Sequence, residues 1–179
     1  MITKHLPVYT IGHSTHPLEE FIELLKLNEI QTLADIRTIP KSRYNPQFTQ
    51  ASLEKSLAKA GINYRYMKNL GGLRTTRTDS INMGWRNTSF RGYADYMQTP
   101  EFTEAIGNLV KLSKTEQVAI MCAEAVPWRC HRSLVGDALL VRRIKVLDIM
   151  SKTSNKEHTL TRFAKTKGMT ITYPPESNA

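Results

Sequence analysis

The sequence predicts an α/β protein of three layers: a mainly parallel sheet with helices on both faces, Rossmann-like in build. Three observations predict it. Short β-branched runs alternate along the chain with segments of helical periodicity. One of those runs, Val118–Met121 (VAIM), is apolar throughout, as in a strand covered on both faces. The length of 179 residues, with 40% apolar and 23% charged side chains, suffices to bury a core without staples. Strands joined by helices in this rhythm lie parallel, because each crossover returns the chain to the same edge of the sheet.

The elements follow in order. Pro7 to Gly12 (PVYTIG) reads as a buried first strand. Leu18, Phe21, Ile22 and Leu25 recur at helical spacing, with Thr15 placed to cap that helix and Pro17 suited to its first turn. Thr32 to Ile36 is a second strand, and Phe48 to Ala60 a second helix whose stripe of Leu53, Leu57 and Ala60 ends at Gly61. Asn63 to Met67 forms a third strand. Tyr93 to Lys114 is helical with a break near Thr99-Pro100, His131 to Arg143 is a further helix, and Lys145 to Met150 a fifth strand. A short helix over Leu160 to Lys165 and a final strand over Met169 to Tyr173 complete the expectation. No repeat, low-complexity block or linker divides the chain, so residues 1–179 are expected to form one domain.

Charge narrows the partners. With 25 Lys+Arg against 16 Asp+Glu the net charge is +9, which favours an anionic ligand such as DNA, RNA or a nucleotide. Arg37, Lys41 and Arg43 have no acid among them. Lys68, Arg74, Arg77, Arg86 and Arg91 face the single acid Asp79, with Trp85, Phe90 and Tyr93 interleaved where they could stack on bases. A third basic stretch runs from Lys152 to Lys167. No apolar run approaches the roughly 20 residues of a membrane helix, and no amphipathic basic helix is visible, so a membrane partner is not expected. The start, MITKHLPVYTIGH, lacks the apolar stretch of a secretory signal. Two cysteines cannot frame a disulfide scaffold, which points to the cytoplasm and to free thiols. Nothing in the pattern fixes an oligomeric state.

In a parallel sheet the carboxyl ends of the strands share one rim, where ligands bind. Gly12-His13-Ser14-Thr15-His16 follows the first strand. Asp35-Ile36-Arg37 and then Pro40-Lys41-Ser42-Arg43 follow the second. Cys122-Ala123-Glu124 follows the apolar strand, leading into Pro127-Trp128-Arg129-Cys130-His131-Arg132. The stretches TIGHST, LADIRTIPKSRYNPQF, GINYRYMKNLGG, FRGYADYM and MCAEAVPWRCHRSL, in that order, resemble the bacterial and archaeal domain-of-unknown-function family DUF488. The resemblance runs from about Tyr9 to Ile149, leaving residues 150–179 as a C-terminal extension. It implies a single α/β domain and supplies no reaction. One departure stands out: where the resemblance implies Val-x-His-Ile, this chain has Val146-Leu147-Asp148-Ile149.

These residues suggest a hydrolase acting on nucleic acid or another phosphate-bearing substrate. Arg37, Arg91, Arg129 and Arg132 would hold the anion, with Ser14 and Tyr93 beside it. Glu124 and His131 would handle protons, and His13 would position the reacting group. Asp35 either pairs with Glu124 in acid–base work or serves as an ion-pair partner for an arginine. Cys130, expected at a helix start, is either a nucleophile with a lowered pKa or a packed small residue. Cys122 reads as a core thiol, because Glu124 would repel phosphate from a cysteine-phosphatase-type cradle. No HExxH, CxxC, P-loop or dinucleotide fingerprint occurs, so neither a metal nor a cofactor is expected. Two alternatives use the same residues: a non-catalytic nucleic-acid-binding module, and a thiol-dependent protein using Cys130 for transfer or redox sensing.

Overall fold

The computed structural model describes residues 5–177. Strands β1 (Val8–Gly12), β2 (Thr32–Asp35), β3 (Asn63–Tyr66), β4 (Val118–Cys122), β5 (Val146–Ser151) and β6 (Ser154–Glu157) form one sheet in the order β3-β2-β4-β1-β5-β6. β1 runs parallel to β4 and β5, and β2 parallel to β3 and β4; β6 alone is antiparallel, against β5. Five helices cover it: α1 (Leu18–Leu27), α2 (Gln50–Lys59), α3 (Thr88–Tyr96), α4 (Pro100–Ser113) and α5 (Arg132–Leu140). This is the expected three-layer, Rossmann-like arrangement.

Alternation along the strands separates two cores. Ile11, Leu33, Ala119 and Met121 point to the face covered by Phe21, Leu24 and Leu25 of α1 and by Leu53 and Leu57 of α2. Their neighbours Val8, Ala34, Val118 and Ile120 point to the opposite face, against Ala94 of α3, Ile106 and Leu109 of α4, and Leu134 and Leu139 of α5. All five residues of β4 are buried, as its apolar run requires.

The connections divide by face in consequence. The loops after β1 and β2 leave toward α1 and α2, whereas the loop after β4 leaves toward α5. Adjacent strands whose loops depart in opposite directions open a crevice beyond their carboxyl ends.

Several local expectations are corrected. Thr15 does not cap α1; Pro17 occupies the N-cap position, without a side-chain cap. α3 begins at Thr88, five residues before the expected start, because Asn87 Oδ1 accepts from the backbone N–H groups of Ser89 (2.8 Å) and Phe90 (3.3 Å). Residues 160–165 form no helix. Phe163 and Ala164 pack on the larger core, and the chain then enters a hairpin of β7 (Lys165–Lys167) and β8 (Thr170–Thr172), turning at Gly168 with φ of 60°. Ile171 and Tyr173 join the α3–α5 core. β6 was not expected: its four residues are all exposed and polar, so they carry no alternation to read.

Candidate functional site

A cleft of about 420 Å³ opens at that crevice. Four segments wall it: Arg37 to Lys41 after β2, Gly72 and Leu73 of the long loop, Asn87 to Tyr93 at the start of α3, and the β4–α5 loop with Cys122, Glu124 and Arg129 to His131. A larger hollow of about 700 Å³ lies between the end of β3 and α4, and holds none of the candidate site residues.

Toward the α1–α2 side, the wall is a closed network. The fully buried Asp35 carboxylate accepts from Arg37 Nε (2.9 Å), Arg37 Nη2 (2.6 Å), the Arg37 backbone N–H (3.1 Å) and the Tyr64 hydroxyl (2.6 Å). Such a full complement of donors is what permits a carboxylate to remain ionised in a protein interior. Burial and the bond to Asp35 raise the Tyr64 phenol's pKa, so it stays a donor. His13 Nδ1 donates to the Ser14 carbonyl (2.9 Å), which leaves Nε2 as an acceptor 3.5 Å from Arg37 Nη1. Its ring stacks on Phe48 at 4.5 Å. Burial lowers the His13 pKa against the opposing bond to Ser14, with the Arg37 charge adding to the decrease. His13 is thus a neutral spacer between Phe48 and Arg37.

The opposite side is held from beneath and open above. The His13 N–H donates to the Cys122 carbonyl (2.9 Å) and the Ser14 N–H to that of Ala123 (3.0 Å), with Ser14 at φ of 44°. Gly12 lies so close that a Cβ there would overlap the Glu124 carbonyl oxygen. Arg132, 1% exposed, donates from Nη2 to the carbonyls of Glu124 (3.1 Å) and Ala125 (3.4 Å), and from Nη1 to Thr10 Oγ1 (3.1 Å). The Thr10 hydroxyl in turn donates to Asp148. Arg132 therefore braces backbone and is not available to an anion in the cleft. Above it, Glu124 and Arg129 are exposed, as is Lys41 across the cleft, and among the described residues none of the three forms an ion pair.

The thiols and His131 make the floor. His131 Nε2 donates to the Ile36 carbonyl (3.0 Å), so Nδ1 accepts from the Cys130 thiol (3.4 Å). Tyr93 lies against the ring at 5.0 Å, and a Cβ at Gly72 would come within 3.1 Å of Nδ1. Burial, reinforced by the Arg132 and Arg74 charges, brings the His131 pKa down to about 4. Burial and the neighbouring Cys122 push the Cys130 thiol well up, while its sulfur accepts the Arg132 backbone N–H at 3.5 Å. Cys122 moves the other way: burial opposes ionisation, but the Cys130 thiol and the Arg132 charge bring its pKa below the ordinary value.

Residues 17–139 match the family model described as Domain of unknown function DUF488. The chain belongs to that family. No curated protein and no solved structure matches it. The DUF488 match takes in Asp35, Arg37 and the whole stretch from Cys122 to Arg132, but begins after His13 and Ser14 and ends before Asp148. At Asp148, where a histidine was implied, a histidine arrives from elsewhere. His158 follows β6, stands with Nδ1 4.0 Å from Asp148 Oδ2, and places Nε2 2.9 Å from Asp137 Oδ1.

Of the side chains expected at this DUF488 cleft, six reach its wall: Arg37, Tyr93, Glu124, Arg129, Cys130 and His131. Tyr93 contributes its ring only, since its hydroxyl donates to the Leu70 carbonyl (2.7 Å). His13, Ser14, Asp35 and Arg132 lie outside the lining. Arg91 is turned away, with Nε (3.1 Å) and Nη2 (2.8 Å) both on the Trp85 carbonyl. Trp85 is not a free stacking platform, because Phe90, Phe163 and Tyr173 surround it with ring centroids 4.9–5.5 Å away. Cys122, Lys41, Thr38 and Ser89 line the cleft without having been expected as ligand contacts. Two of them had a legible signal: Lys41 by its place in the acid-free run after β2, and Cys122 by its place at the end of the apolar strand. Among the described residues no group of three or more His, Cys, Asp or Glu could hold a metal ion, and no helix is long and apolar enough to cross a membrane.

Proposed function

We propose that this DUF488 protein is a hydrolase for a phosphate-bearing substrate of nucleotide size, with Glu124 as general base. One observation carries the reading: a single cleft at the turn-round of the sheet presents a carboxylate and two cations that have no ionic partners among the described residues. Unpaired charges of both signs facing one hollow suit a ligand that brings an anion together with a proton to be removed. Arg129 and Lys41 would meet the phosphate oxygens. Glu124 would take the proton from the attacking water, a role worth roughly 100- to 10,000-fold in rate. His131, neutral and engaged at both nitrogens, serves as wall and spacer here, so the proton work falls to Glu124 alone.

The test is a hydrolysis screen of the purified protein against mononucleotides, bis-p-nitrophenyl phosphate and short single-stranded oligonucleotides, run beside thermal-shift measurements. The expected result is turnover in one class, lost at least 100-fold in Glu124→Gln while that variant keeps the ligand's thermal shift. Arg129→Ala should weaken the shift itself. Absence of turnover throughout, together with steeply salt-dependent oligonucleotide binding that survives Glu124→Gln, would instead make the protein a binding module.

A further inference from the structure

We propose that the ligand is a single strand of nucleic acid, and that the nucleotide next to the one in the cleft lies along Arg43 and Tyr44 in an adjoining hollow. This rests on the reading of the cleft as a site for a phosphate-bearing substrate, and makes that substrate part of a polymer.

The loop after β2 carries the idea. A hollow of about 640 Å³ adjoins the cleft, and Lys41 lines both. Arg43, Thr49 and Tyr66 border it as well, and no acidic side chain does. Among the described residues neither Lys41 nor Arg43 forms an ion pair. The Tyr66 hydroxyl is spent on the Thr38 carbonyl (2.6 Å), which leaves its ring as wall. Beyond Lys41, the Arg43 guanidinium stands 5.9 Å from the centre of the Tyr44 ring, and Tyr44 is 86% exposed. On the cleft side, Ile39 and Leu73 are each more than half exposed.

The loop thus presents, in chain order, an apolar group, two cations and an aromatic ring to solvent. A single strand offers the complement: flat base faces for the apolar and aromatic groups, joined by phosphates for the cations. The backbone under these side chains is already fixed. The Pro40 carbonyl accepts from Gln50 N–H (2.9 Å), the Lys41 N–H donates to the Ile39 carbonyl (2.9 Å), and Ser42 Oγ accepts from Asn45 N–H (3.1 Å). A track set before the ligand arrives lowers the ordering cost of binding. A mononucleotide held in the cleft reaches Lys41 and goes no further. A second nucleotide brings its phosphate to Arg43 and its base to Tyr44. A duplex has its base faces stacked already, and an acidic peptide has charges without the flat faces, so neither matches both features.

The experiment measures fluorescence anisotropy of the full-length protein with labelled oligothymidylate and oligouridylate of two, four and eight nucleotides. Thymidine and uridine monophosphates serve as competitors, and the Glu124→Gln protein replaces the parent where a probe is cut. Affinity should rise at least about tenfold from one nucleotide to four, in the deoxy series, the ribo series or both, since each added base contact is worth at least about fivefold. Tyr44→Ala should shrink that rise about fivefold or more. Arg43→Ala should flatten the dependence of log affinity on log salt by about 0.7, the loss of one phosphate contact on a single strand. Both side chains are exposed, so the variants keep the fold. Equal affinity for one nucleotide and four, equal binding of a duplex, equal competition by polyglutamate of matched charge, or indifference to both substitutions would each overturn the proposal. Length-dependent binding without turnover would uphold the track and refute hydrolysis at Glu124; turnover of mononucleotides without a length effect would do the reverse.

Discussion

The two sides of the cleft are built from the same residue types and put to opposite uses. On the α1–α2 side, Asp35, Arg37 and His13 close on one another: the carboxylate takes four donors, and the imidazole fills the space between Phe48 and the guanidinium. On the α5 side, Arg132 does the bracing from below, which frees Glu124 and Arg129 to face solvent with no partner among the described residues. Burial makes the difference. A charge withdrawn from water must be paired within the protein, and once paired it has little left to offer a ligand. A charge held at the rim by its backbone alone keeps its full capacity for binding and proton transfer. On the proposed reading, chemistry would concentrate where the backbone is pinned and the side chains are not.

The two sides of the cleft differ most at Asp35. Asp35→Asn removes the charge that Arg37 was buried to meet, and should cost about 3–5 kcal/mol of stability, the range for breaking a buried pair from one side. Urea denaturation at pH 7 measures it directly. Glu124→Gln, the matching change across the cleft, should stay within about 0.5 kcal/mol of the parent. Equal costs at the two positions would mean that the sides are not different in kind.

The same contrast sets how much the sequence could reveal. Strand and helix order were legible because β-branched runs and helical stripes such as Leu53 and Leu57 record burial directly. The rim was legible too, since a parallel sheet brings every carboxyl end to one edge. Which arginine would be free was not. Arg91, Arg129 and Arg132 lie in equally basic surroundings in the chain, yet one is spent on the Trp85 carbonyl, one on the β4–α5 loop, and only Arg129 faces the cleft. Hydrogen bonds to backbone carbonyls far away in sequence leave no mark on composition or spacing. Asn87 was readable and missed: an Asn before Thr88-Ser89-Phe90 is a helix-start signal, overlooked beside the stronger apolar pattern further on.

His131 makes the stability of the cleft floor depend on pH. Its folded-state pKa of about 4 lies below the ordinary 6.5, so between those values the unfolded chain binds a proton that the folded protein refuses. Stability should therefore be fully present above about pH 6.5 and fall as the pH drops toward 4, by up to about 3 kcal/mol from this residue. The lowered His13 works in the same direction. Denaturation midpoints across pH 4 to 7 should show the slope, and His131→Asn should flatten it even if the variant starts less stable. An unchanged slope would place His131 in contact with solvent and remove it from the floor.

The smallest expected effect tests the open side most strictly. Arg129→Ala and Lys41→Ala should each leave the denaturation midpoint nearly unmoved, within about 0.5 kcal/mol, because neither side chain meets a carboxylate among the described residues. Removing a cation from a chain of net charge +9 also relieves self-repulsion slightly, which pushes any residual change toward greater stability at low salt. A clear loss of stability in either variant would show that the guanidinium or ammonium supports the loop it sits on. In that case the unpaired charges at the rim would be structural after all, and the division between a closed side and a working side would disappear.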